Sequence, residues 1–184
     1  MLAGKVVILQ QGHKNVALNP DPALRGSTGA AGELEWSEQF CDQLQARLEA
    51  AGATIKRVDG SGQYGDLSAD LAYCPHYDGG APEESACFVA RGADDQVGAL
   101  SDKAVQIWCE VVPGMVGIPL DQSRVTVNMT YYYFWSYLPG PVPAILAEHG
   151  NGPNDHDHDS LINRLADHVA AAEQVIVRFI QEGR

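Results

Sequence analysis

The sequence predicts a single α/β domain spanning residues 1–184, built on a twisted, mostly parallel sheet with helices on both faces. Three observations carry this. A short apolar strand, a loop, an amphipathic helix closed by glycine and a second strand follow one another from Lys5 to Val58, the order of a βαβ unit. The first of these strands is an unbroken apolar run, as strands buried on both faces are. The chain has 184 residues, 45% hydrophobic and 20% charged, which suffices for one sizeable core and is unlike a disordered segment.

Lys5 to Gln10 reads as the first strand, running into a loop at Gln11-Gly12-His13. Residues 14–32 are rich in Gly, Pro, Asn and Ala and read as a long loop; loops of that length in compact domains are usually functional. Leu34, Phe40, Cys41, Leu44, Leu48 and Ala51 recur at helical spacing until Gly52 ends the helix, and Ala53 to Val58 is the next strand. Glycines 60, 62 and 65 punctuate a loop before the strand Leu71-Ala-Tyr-Cys74, which leads into Pro75-His76. Ala86 to Ala90 reads as a strand. Val97, Leu100, Ala104, Ile107, Trp108 and Val111 mark a helix stopped by Pro113 and Gly114. Tyr131 to Tyr137 is aromatic and strand-like, and Val142 to Ala147 is a strand ending at Glu148. Leu161, Leu165, Val169, Ala172, Ile176, Phe179 and Ile180 form one face of a long closing helix.

Charge narrows the partners. Twelve Lys and Arg against 24 Asp and Glu give a formal net charge of -12. That surface repels phosphate backbones, so nucleic acid is not expected, and it disfavours docking on anionic lipid or wall polymer by charge alone. No run approaches the roughly 20 apolar residues that cross a bilayer. The apolar part of Met1 to Leu9 is too short for a signal peptide and fits the first strand better. Cysteines 41, 74, 87 and 109 lack CxxC spacing and fall inside helices or strands, which favours buried thiols; a Cys74–Cys87 bridge is the alternative.

The candidate chemistry gathers at strand ends. His13 follows the first strand, His76 a central one, and Glu148 closes the last; ligands of open parallel sheets collect beyond these carboxyl ends. Glu35 joins them from the first turn of a helix, where a carboxylate suits the dipole. Two imidazoles and one carboxylate form a common ligand set for catalytic zinc, with water in the fourth position. A further carboxylate can take that water's proton and hand it to a leaving nitrogen. Among 6 His and 24 acids such sets arise easily, and each member has a plainer reading. His13 can be a loop histidine, Glu35 part of a solvated helix start with Glu33 and Glu38, and His76 part of a polar turn. Glu148 is harder to dismiss, because it closes an apolar run. Cys74 shares a strand face with His76, but Pro75 between them speaks against a thiolate ligand. His149 can support Glu148 or substrate, or lie on the surface. Asp155-His-Asp-His-Asp159 has the composition of a metal tract and fits better as a helix cap. The run Tyr131 to Tyr137 with Trp135 suits either a sugar or peptide groove or core packing.

Together these motifs resemble the zinc-dependent N-acetylmuramoyl-L-alanine amidases of the amidase_3 type. The likeness runs from Val6 to the closing helix. It rests on Gly12-His13, on Gly32-Glu-Leu-Glu35 opening a helix, on Cys74-Pro75-His76 where the family has Ser-x-His, and on Pro143-Ala-Ile-Leu146-Ala-Glu148 matching Pro-x-x-Leu-x-Glu. Tyr77-Asp78 and His149-Gly150-Asn151 depart from the family's usual residues. The resemblance implies hydrolysis of the amide joining N-acetylmuramic acid to L-alanine in peptidoglycan, with Zn2+ held by His13, Glu35 and His76 and Glu148 as general base and acid. It implies a monomer that touches peptidoglycan, not nucleic acid, and does not insert into membrane. As an endolysin it would wait in the cytoplasm until release to the wall; otherwise it would be secreted or periplasmic with its signal removed. Two other readings are a carboxypeptidase-like zinc peptidase and a non-catalytic wall-binding module of the same fold. The 22 residues between His13 and Glu35 disfavour the first, which needs a close His-x-x-Glu pair, and the presence of all four residues disfavours the second.

Overall fold

The computed structural model describes residues 2–19, 29–62, 65, 67–138 and 140–182. Within them, β1 (Val6–Gln10), β2 (Thr54–Val58), β3 (Leu71–Asp78), β4 (Phe88–Ala90) and β5 (Ala144–Asn151) form one sheet in the order β2-β1-β3-β5-β4. All neighbours run parallel except β4, which lies antiparallel on the edge beside β5.

Alternation along the strands divides the core in two. Val7, Leu9, Leu71, Tyr73, Ile145 and Ala147 face the long helices α1 (Glu33–Ala50), α2 (Gly98–Val116) and α6 (Leu165–Glu182). Ile8, Ala72, Cys74, Ala144 and Leu146 face the other way, under Phe134 of the short α4 (Tyr133–Tyr137). Helices thus cover both faces, unequally. No helix among the described residues is long and apolar enough to cross a membrane.

Several boundaries differ from the sequence reading, each for a packing reason. β3 continues through Pro75 and His76, because its ladder to β1 ends at Tyr73 and only β5 pairs with it beyond. β5 runs past Glu148 to Asn151, with a register shift just after the His76–Glu148 pair. Pro113 lies inside α2, which stops at left-handed Gly117; burial of Val112 and Val116 carries the helix past the proline. The aromatic run is not a strand. Thr126 caps α3 (Val127–Thr130), α4 follows, and adjacent Tyr133 and Phe134 are both buried, as a helix allows and an alternating strand does not. The closing helix is two helices: Asn154 caps α5 (Asp155–Asn163), and the chain breaks at Arg164, whose guanidinium holds the Met115 and Val116 carbonyls at the end of α2. Residues 20–28 of the expected long loop lie outside the described residues. All four cysteines are free thiols, with Cys74 and Cys87 in different core clusters.

Candidate metal centre

His13 sits on the turn after β1 with φ at 59°, a left-handed conformation that a non-glycine residue keeps only where its surroundings impose it. Gly12 before it is needed for space. A Cβ there would stand 2.5 Å from His76 Cε1 and 2.7 Å from Nε2, so the second imidazole packs on bare backbone. At Gly29 both reasons apply: φ is +85°, and a Cβ would strike the Glu33 carboxylate and come within 2.7 Å of the His13 ring.

The carboxylate facing these rings belongs to Glu33, the first residue of α1. Its Oε1 lies 2.7 Å from His76 Nδ1 and 3.2 Å from His13 Nε2, and the two ring nitrogens are 3.1 Å apart. Its Oε2 accepts the Ala30 N–H at 2.8 Å. Glu35, chosen from sequence, is exposed and stands apart from this group. Two residues turn a helix by about 200°, so only one acid of Glu33-Leu-Glu35 can face the sheet. Spacing holds the signal that selects it: Glu33, Trp36, Phe40 and Leu44 form the buried stripe, whereas Glu35, Glu38 and Asp42 form the solvated one.

Burial pushes the Glu33 carboxyl up, but its hydrogen bonds with His13 and His76 outweigh this and bring it to about 2. His76 is pushed down by burial, with Glu33 pulling the other way. The side chains of Glu33 and His76 are each only 3% exposed. A carboxylate and two imidazoles packed this closely require positive charge among them, whether protons or a metal ion. Tetrahedral zinc with bonds of about 2.0–2.2 Å sets its ligand atoms roughly 3.3–3.6 Å apart, a small widening of the 2.7–3.2 Å triangle seen here. The residues therefore fit the ion.

An open cleft of about 360 Å³ reaches the triangle at His13 and Glu33, with Tyr77, Asp78 and Glu148 also in its walls and His76 buried behind them. Glu148 is the strand partner of His76 across β3 and β5, which places both on one sheet face. Its Oε2 is buried and has no hydrogen-bond partner among the described residues. Burial, then the negative charges of Glu33 and Asp78, raise its carboxyl well above the usual range. Asp78 is held by Arg124 at 2.7 Å, and Arg124 also pairs with Glu84. Tyr132 stands edge-on to both imidazoles, with centroids 5.4 Å from His76 and 6.3 Å from His13. Tyr131 and Trp135 line a separate cavity of about 190 Å³ beside Asp94 and Asp95. Thus three of the four residues chosen from sequence meet here, joined by Glu33.

His149 points to the opposite face and is wholly buried. Asp157 of the histidine–aspartate tract is buried too, accepting hydrogen bonds from Ser85 and from the Ala86 and Asn151 N–H groups. It fastens the β4 approach to α5.

No protein-family model matches the sequence, and no curated protein matches it. Solved structures do match the fold. The N-acetylmuramyl-L-alanine amidase of Mycobacterium abscessus aligns with a TM-score of 0.74 at 16% identity, over 96% of this chain and 99% of that one. Its counterpart from Mycobacterium smegmatis gives 0.70 and 16% over 98% of each. This chain has their fold. The catalytic domain of an endolysin targeting Clostridia difficile also aligns, at 0.59 and 13%, over 96% and 97%. The likeness is one of fold, and the chemistry rests on the residues of this chain.

Proposed function

We propose that this protein is a zinc-dependent N-acetylmuramoyl-L-alanine amidase that hydrolyses the amide between N-acetylmuramic acid and L-alanine in peptidoglycan. The observation that carries the reading is the pairing of a His13–Glu33–His76 triangle with an unpartnered Glu148 carboxylate oxygen in one open cleft. The fold shared with two amidases supports the choice of substrate.

In this reading His13 Nε2, Glu33 Oε1 and His76 Nδ1 would hold the zinc. Bound there, zinc would supply Lewis-acid polarisation of the scissile carbonyl and a lowered pKa for water. Glu148 Oε2 takes the proton from the attacking water and returns it to the departing amine. Burial and the charges of Glu33 and Asp78 push its carboxyl up, which favours its holding the proton between the two steps. The open cleft admits a polymer, which a closed pocket would refuse. We place the activity in lysis of a bacterial host, the enzyme remaining in the cytoplasm until released to the wall; its likeness to an endolysin domain supports that setting.

Mass analysis of digested, purified peptidoglycan tests the reaction. Released peptides should begin at L-alanine with intact glycan left behind; cleavage within the glycan or the peptide would overturn the assignment. Glu148→Gln should retain zinc and lose activity by about 10²–10⁴-fold.

A further inference from the structure

On the side of His76 away from the triangle, the ring meets a second set of groups. His76 Nε2 lies 3.1 Å from Cys74 Sγ. The thiol of Cys74 donates in turn to Gln10 Oε1, and Gln10 Nε2 donates to the Tyr133 hydroxyl at 3.0 Å. Cys74, Gln10 and His76 are buried at 3% exposure or less, and Tyr133 at 4%. The chain links three elements: the end of β1, the middle of β3 and the start of α4.

The direction of these bonds matters. A thiol has one proton, and the proton of Cys74 is spent on Gln10, so its sulfur faces His76 as an acceptor. The imidazole must then carry its proton on Nε2. Nδ1 faces Glu33 Oε1 at 2.7 Å and His13 Nε2 at 3.1 Å; with Nε2 protonated, it is the nitrogen left for a metal ion, which would replace the proton that Nδ1 shares with Glu33. Pro75 contributes through the backbone. It confines Cys74 to extended geometry, which keeps residues 74 and 76 on one strand face.

We propose that Cys74, oriented by Gln10 and Tyr133, is a positioning residue that fixes the tautomer and ring plane of His76 so that Nδ1 is presented to the metal. The idea rests on the zinc reading above. Histidine ligands commonly give their other N–H to a carboxylate, carbonyl or water; here a buried thiol takes that place. Cys74 is therefore not itself a ligand, because its sulfur sits at the nitrogen opposite the one facing the triangle.

Zinc affinity measured by competition with a chromophoric chelator tests this. Cys74→Ala should weaken binding about ten- to a hundredfold, and Cys74→Ser, which keeps one donor and an acceptor, should restore most of it. Tyr133→Phe, which removes only a hydroxyl, should weaken binding less and serves if the alanine variant does not fold. Long-range ¹H–¹⁵N spectra of the zinc-loaded protein should show the His76 proton on Nε2. Unchanged affinity in folded Cys74→Ala, or a proton on Nδ1, overturns the proposal while leaving the amidase reading intact. A thiolate-to-cobalt charge-transfer band in the cobalt-loaded protein, lost in Cys74→Ser, also overturns it by making Cys74 a ligand. A wild-type chain that binds no zinc fails the metal reading itself.

Discussion

Two histidine pairs lie on opposite faces of one sheet, and they differ in how their hydrogen bonds close. His149 and His168 belong to a chain with fixed ends. Trp108 Nε1 can only donate, and it does so to the Tyr73 hydroxyl at 3.0 Å. Tyr73 bonds His149 Nε2 at 2.8 Å, His149 Nδ1 meets His168 Nδ1 at 3.2 Å, and His168 Nε2 meets Ser160 Oγ at 3.1 Å. Ser160 ends the chain by donating to the Val116 carbonyl at 3.0 Å. Every proton has one place, and both rings are neutral. His13 and His76 instead turn one nitrogen each toward the other and toward one carboxylate, an arrangement open on that side although His76 closes on Cys74 at its other nitrogen. A closed chain holds a core together, whereas an open one leaves room for an ion. The closed pair joins α1, α2, α5 and α6: the His149 ring lies 4.8 Å from Phe40 and 5.9 Å from Trp108, and His168 stands on α6.

The largest expected effect separates the two acids of the first helical turn. Glu33→Gln should strip the zinc on dialysis and abolish activity, while Glu35→Gln should keep both; equal zinc in the two variants, by elemental analysis, would break the contrast between open and closed pairs. Next comes His149→Ala. Loss of packing, with Tyr73 and His168 left without their partner, should cost about 3 kcal/mol in urea unfolding, and zinc affinity of the folded protein should not change. A loss of zinc affinity without loss of stability would merge the two regions into one.

A smaller effect follows from proton linkage. Burial first, then the charge of Arg164, brings His168 from 6.5 to about 4, and burial pushes His149 well below its ordinary value. The folded state therefore binds fewer protons than the unfolded chain. The contribution is fully present above 6.5 and falls as the pH drops from there toward 4. Between pH 7 and pH 5, His168 alone should remove about 2 kcal/mol. Urea unfolding in the presence of chelator should show this slope in the wild type and a shallower one in His168→Gln. Identical slopes would mean that His168 is not held neutral.

Much of this was legible in the sequence. The first strand, the first helix and the parallel order showed in apolar periodicity, because these elements bury faces whose spacing is local. His13, His76 and Glu148 stood out because each falls at or near the end of an apolar strand run. The aromatic run misled, since Tyr, Phe and Trp favour strands in general, and only the need to cover Ile8, Cys74 and Leu146 makes these residues helical. Glu33 lies on the buried stripe through Trp36 and Phe40, a signal carried by helical spacing and not by the family motif, which falls on Glu35.

Sequence alone determined the order of the main strands and long helices and three of the positions where chemistry could sit, because these follow from periods of two and 3.6 along the chain. Only the tertiary structure decided which neighbour faces which side. Glu148 and His149 are adjacent in sequence, yet one reaches the cleft and the other the core, since successive residues of a strand point to opposite faces. Which face becomes the site depends on where β1 leaves the sheet and where α1 brings its first residue, and those are contacts between segments far apart in the chain.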